Sequence, residues 1–215
     1  AHRTSPTNMG LYLLCAVAAR DFGWAGTQRS LARLQATLAV MQQLQRHRGH
    51  FFNWYDTQDL RPLAPAYVSS VDSGNLAGHL LVVANACEEW LKVPISADAR
   101  QGLLDNLQLA SATLAALPAT SSERGQQLGE LLQQIDAALQ GVQPLPSLLP
   151  SLLRLSDKAA QLASGLTSLD SAEHAADLLF WLQALTQALG DLQHDAHLSD
   201  TECTGLHNNL RAVAE

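Results

Sequence analysis

A chain of 215 residues, 47% of them hydrophobic, is long enough to bury a core without disulfides or structural metals. Its net charge of −7 and the lack of a basic stripe exclude a nucleic-acid role on electrostatic grounds. Charged residues make up 15% of the chain, against roughly 25% in ordinary soluble domains, so either extensive helix-on-helix burial or surface meant for a partner is expected.

Cys15, Cys87 and Cys203 are odd in number and far apart, which suits free thiols in a reducing compartment better than a disulfide framework or a zinc site. His194 and His197, three residues apart, make no convincing metal pair. The apolar stretches at Leu11–Ala19 and Leu80–Ala86 are shorter than the ~20 residues of a membrane span. Without an initiator methionine, and with helix-start signals already at Thr7, the sequence reads as a piece of a longer protein.

In chain order the pattern is helical throughout, so the fold class is all-α. The first helix is predicted from Thr7 to Arg20, behind Pro6, with Leu11, Leu14, Cys15 and Ala18 on one stripe. Gly23 and Gly26 make a turn, and a second helix is predicted from Thr27 to Arg46 with Gly49 as its stop. A third begins near Ser73 or Gly74 and ends around Lys92, before Pro94. Further helices are predicted near 97–117, 121–140, 147–167, 171–195 and 199–213. Breaks are expected at Pro118, across the three prolines between Gly141 and Pro150, and near Gly190 and Ser199. Leu128, Leu131, Leu132, Ile135 and Leu139 have heptad-like spacing without the length of a coiled coil, which points to antiparallel packing inside a domain.

Composition divides the chain into residues 1–96 and 97–215. The first part has eight Lys/Arg and six Asp/Glu, the second five and fourteen. Most aromatics lie in the first part, including those of a 47–72 stretch too long to be an ordinary connection. The second reads as an acidic, Leu-rich amphipathic bundle or insertion.

If the first three helices run up, down and up, the starts of the first and third meet at one end with the aromatic loop. That rim gathers Ser5, Thr7, Asn53, Trp54, Tyr55, Asp56, Asp72, Ser73 and Asn75. Such a set suits a sugar, whose ring faces stack on Trp or Tyr and whose hydroxyls need short donors and acceptors. Each residue also has a plainer structural use: Ser5, Thr7, Asp72 and Ser73 as helix caps, Trp54 and Tyr55 as core anchors of the loop, and Asp56 in an Asx turn with Thr57 and Gln58. The spacing of Trp24 and Trp90 marks them as core residues.

The segments Arg3–Leu14 (RTSPTNMGLYLL), Ala18–Trp24 (AARDFGW), Gly49–Thr57 (GHFFNWYDT) and Val71–Leu80 (VDSGNLAGHL) closely resemble the central region of bacterial cyclic β-1,2-glucan synthases. The resemblance is dense to about residue 92 and beyond that rests on element order and helical character. It implies a large inner-membrane protein with a UDP-glucose glycosyltransferase region, a central glycoamylase-like region that cyclises the glucan by transglycosylation, and a phosphorylase-like carboxy-terminal region. On this resemblance, antiparallel helical hairpins in residues 1–96 begin an (α/α) barrel, and a Leu-rich helical bundle follows. The implied partners are a β-1,2-glucan chain and the remaining domains of the parent, on the cytoplasmic side of the membrane. UDP-glucose serves as donor for the parent, and this segment itself holds no cofactor.

Retaining transglycosylation uses two carboxyl groups roughly 5–5.5 Å apart. Asp56 and Asp72 are the carboxylates within the rim, but the resemblance places the catalytic pair further along the parent chain. The roles expected here are positioning for Asn53, Asp56, Asp72 and Asn75 and stacking for Trp54 or Tyr55. The segment alone is expected to be inactive. Helix faces left uncovered in a partial barrel lead to an expectation of self-association, or of cover by the acidic second half. The main competing reading is a non-catalytic interaction or scaffold module; a complete small glycosidase is a third.

Overall fold

The computed structural model of the chain describes residues 2–93, 95–117, 122–166 and 172–214. They form an all-α protein with four two-residue strands: β1 (Arg3–Thr4), α1 (Pro6–Asp21), α2 (Thr27–Gln43), β2 (Arg46–His47), β3 (His50–Phe51), β4 (Tyr55–Asp56), α3 (Ser70–Trp90), α4 (Ala99–Ala116), α5 (Glu123–Gln140), α6 (Leu145–Ser164), α7 (Ala172–Ala196) and α8 (Asp200–Ala214). The expected break at Pro118 lies outside the described residues.

Contacts divide the chain into two compact units. Unit 1 comprises Ala1–Ala19, Gln28–Pro94 and Ser199–Glu215; unit 2 comprises Arg20–Thr27 and Ile95–Leu198.

Unit 2 is built on a closed ring of four helices, in which α4 packs on α5, α5 on α6, α6 on α7 and α7 back on α4. Consecutive helices with short links make an up-and-down bundle. The Leu128, Leu131, Leu132, Ile135 and Leu139 stripe of α5 is buried in its core, with Leu103 and Leu107 of α4, Leu149 and Leu152 of α6, and Leu178, Leu182 and Leu185 of α7. Polar groups in this bundle are paired: Asn106 Nδ2 donates to the Gly102 carbonyl one turn back, and the hydroxyls of Ser156 on α6 and Thr186 on α7 bond to each other.

Two helices run through the expected breaks. α6 starts at Leu145, so Pro146 falls in its first turn where no N–H is needed, and Pro150 lies inside it. Gly190 lies within α7, and a side chain there would meet nothing within 4 Å. The turn from Arg20 to Thr27 belongs to unit 2. Within that unit the Thr27 and Gly26 N–H groups donate to Asp195 Oδ2 at 2.6 Å and Asp191 Oδ2 at 3.3 Å, charge-assisted bonds that hold the turn. Trp24 is not a core residue: it is 48% exposed, lies against Phe22 and donates from Nε1 to Asp105. Trp90 is buried as expected.

In unit 1, Ser5 caps α1, accepting from the Asn8 N–H, and Ser69 caps α3, accepting from the Asp72 N–H at 3.2 Å. α3 thus starts earlier than its sequence suggests. α2 ends at Gln43 rather than Arg46. Gly49 does not stop it: Arg48 and Gly49, at φ 51° and 88°, are the two central residues of the turn joining β2 to β3, the left-handed pair that suits the twist of a tight hairpin. α8 packs on α3 and starts with a reciprocal cap, the Ser199 N–H donating to Glu202 and the Glu202 N–H to Ser199 Oγ.

α1 and α3 approach closely at Gly10. A Cβ there would overlap the His79 ring, 3.0 Å from Cγ and closer still to Nδ1, a buried nitrogen without a hydrogen-bond partner among the described residues. Gly10→Ala is therefore expected to destabilise the protein by about 1–3 kcal/mol. Adding His79→Ala should recover much of that loss, a coupling measurable in a denaturant double-mutant cycle.

On α3, burial first and then the Glu88 charge push the Cys87 thiol up to about 11. An acid raised on folding contributes stability that is full below its unfolded pKa, near 9, and is lost as pH rises through the folded value. Between pH 8.5 and 11, Cys87→Ala should therefore lose stability less steeply than the wild type, by roughly 2 kcal/mol across the window. Parallel slopes in urea titrations would refute this.

Candidate polar rim of unit 1

The loop between α2 and α3 reaches the helix starts through short strand pairs. β1 pairs with β4, Arg3 opposite Asp56 and Thr4 opposite Tyr55, and the Thr57 N–H donates to the His2 carbonyl. Tyr55 is 0% exposed. Its hydroxyl accepts from the Phe52 N–H and donates to the Gln45 carbonyl, both at 2.7 Å, and burial raises its pKa. Tyr55 is thus the internal anchor of the loop and presents no ring to a ligand, which leaves Trp54 from the expected stacking pair.

Asp72 lies in the first turn of α3 rather than at its cap. Its Oδ1 accepts from the Thr7 hydroxyl at 2.6 Å, and Thr7 Oγ1 in turn accepts from Asn75 Nδ2 at 3.2 Å. Its Oδ2 accepts from Asn53 Nδ2 at 3.0 Å, while Asn53 Oδ1 accepts from the Tyr67 hydroxyl at 2.7 Å and from Trp54 Nε1 at 2.8 Å. The reverse amide orientation would set the Asn53 oxygen against a carboxylate and its NH₂ against the Trp54 N–H, so hydrogen bonding decides it. Asn53 is 7% exposed, and its N–H donates to the Tyr67 carbonyl at 2.8 Å.

The structure therefore brings Thr7, Asn53, Trp54, Asp72 and Asn75 into one hydrogen-bonded node, and adds Tyr67, which has no place in the local motifs of the sequence. Asp56 stands apart, in the Asx turn its neighbours suggest: Oδ1 accepts from the Gln58 N–H at 2.7 Å. Among the described residues Asp56 and Asp72 share no hydrogen-bond partner. Of the four cap candidates, Ser5 caps its helix, whereas Thr7, Asp72 and Ser73 lie inside the first turns.

The node can bind by acceptance. A carboxylate has about four lone-pair sites, two of which are used at Asp72, and Asn75 is exposed with its carbonyl oxygen unpaired among the described residues. The Arg3 guanidinium carbon lies 4.4 Å from the Trp54 ring centroid, a cation–π contact that covers one ring face. A separate groove of about 600 Å³, lined by Met9, Tyr12, Ala36, Val40, Met41 and Leu60 among others, is apolar, and none of the six candidate residues lines it.

What fold and rim define together is an all-helical chain carrying a carboxylate–amide node beside an aromatic loop. No family model matches it. Its sequence is similar to the cyclic β-(1,2)-glucan synthase NdvB of Rhizobium meliloti (strain 1021), at 52% identity over 114 residues. That match covers 53% of this chain and 4% of NdvB, so the chain spans a small part of that protein's length. The resemblance to a segment of such a synthase is borne out by this match. No helix among the described residues is long and apolar enough to cross a membrane.

Asp72→Asn is expected to cost about 1–3 kcal/mol, because Thr7 and Asn53 donate to different oxygens of Asp72 and the NH₂ that replaces one of them must face a donor. Urea denaturation of this variant beside Asp56→Asn, whose carboxylate serves only its own turn, checks the prediction: the second substitution should cost much less.

Proposed function

We propose that the chain is part of a cyclic β-1,2-glucan synthase and contributes to the carbohydrate-binding region that elongates or cyclises the glucan by glycosyl transfer. The observation that carries this reading is the 52% identity to NdvB. The rim agrees with it in chemistry. Asp72 and Asn75 offer acceptors to sugar hydroxyls, Asn53 sets their geometry, and Trp54 supplies an apolar surface for a pyranose face. Asp56 plays a lesser positioning part. In this reading residues 1–96 supply the start of an (α/α) barrel and 97–215 an acidic bundle or insertion, whose last helix, α8, packs on α3 within unit 1, on the cytoplasmic side of the membrane. The segment alone is inactive in this reading, and the parent uses UDP-glucose as donor.

One observation favours the alternative of a non-catalytic scaffold module: most polar groups of the node already satisfy one another, as a purely structural tie requires. Titration with linear β-1,2-glucooligosaccharides, followed by tryptophan fluorescence, separates the two. Sugar binding predicts a saturable change that Trp54→Ala weakens at least tenfold, about 1.4 kcal/mol, and Asn75→Ala more modestly. A folded wild type without any response would favour the scaffold.

A further inference from the structure

Three large aromatic residues of the α2–α3 loop are tied to the rim, and they differ in what remains open. Tyr55 is wholly enclosed. Trp54 has the Arg3 guanidinium over one face. Tyr67 is 52% exposed, yet it is held at two points by a single buried residue: its hydroxyl donates to Asn53 Oδ1 at 2.7 Å and its carbonyl accepts from the Asn53 N–H at 2.8 Å. A side chain free to follow solvent would turn its hydroxyl to water. This one turns its hydroxyl to the protein and leaves the ring outside, already ordered before any ligand arrives. Prepaid ordering of a flat, two-torsion side chain is how aromatic contacts gain affinity cheaply.

We infer that Tyr67 is the outer stacking platform of the rim, receiving a pyranose face beside the acceptors of Asp72 and Asn75; this rests on the reading of the rim as a glucan site. Asn53 is then a positioning residue. It turns Trp54 Nε1 and the Tyr67 hydroxyl toward one amide oxygen and so sets both rings relative to Asp72.

Isothermal titration calorimetry with linear β-1,2-glucooligosaccharides, which does not depend on Trp54 as a reporter, tests this on the full chain. Tyr67→Ala and Tyr67→Leu, the second retaining bulk without a flat face, are expected to weaken binding at least tenfold. Tyr67→Phe keeps the face and should retain most of the affinity, losing about threefold with its hydroxyl tether. Circular dichroism should show all three folded, since the ring is half outside. Wild-type-like affinity in the Ala and Leu variants, with Trp54→Ala still impaired, would overturn the inference and leave the rim reading intact. Equal losses in Phe and Ala would also overturn it, because the hydroxyl tether alone would then matter. A folded wild type that binds no oligosaccharide would overturn both.

Discussion

The Asp72 carboxylate is the point at which three separate stretches of unit 1 become one surface. Donors reach it from the start of α1 through Thr7, from the aromatic loop through Asn53 and, relayed by the Thr7 hydroxyl, from Asn75 on its own helix. The Trp54 and Tyr67 donors reach it through the Asn53 amide. Each member is polarised in the same sense, from neutral donor toward the anion, and such chains strengthen one another in a partly dry setting. α1 has no covalent reason to meet the first turn of α3, and Asn53 lies well back along the loop from it. The carboxylate ties both to that turn, and the Ser5 and Ser69 caps hold the helix starts in the required form.

That arrangement reconciles two uses usually set against each other. A node in which donors are consumed internally is a good tie, because no buried N–H is stranded. It is also strongly biased toward acceptance: what it leaves unfilled are lone pairs on Asp72 and Asn75. A polyhydroxylated ligand rich in O–H donors matches that bias, whereas an anion would meet the carboxylate. The apolar groove between α1 and α2 has the opposite character and belongs to other chemistry.

Local chemistry made much of this legible in the sequence. Pro6 and Arg20 bracket α1 to within a residue at each end, and the α5 leucine stripe is the one buried in unit 2. The meeting of the two helix starts with the aromatic loop followed from helix direction. Where expectation and structure part, a distant contact decided. The sequence offers Asp72 and Ser73 as caps for α3, but Ser69 takes that position, and Thr7 and Asn53 claim the Asp72 oxygens. Gly49 reads as a helix stop, but the left-handed pair it forms with Arg48 turns a hairpin instead. The spacing that places Trp90 in the core does the same for Trp24, whose indole N–H finds Asp105 eighty-one positions away. Tyr67 has no motif around it, and only the buried amide of Asn53 reveals it.

Within unit 1, α3 and α8 are packed together but far apart in the chain. α3 ends at Trp90 and α8, which packs on it, begins at Asp200, with the four-helix ring between them. On a ribosome the ring has its complete sequence before the cover for α3 exists. The α3 face that α8 covers therefore stays wet while the ring, drawn from contiguous chain, can already form. Completion of unit 1 depends on a long-range contact whose loop-closure entropy a folded insert reduces. The order of synthesis thus sets the order in which the two units acquire structure.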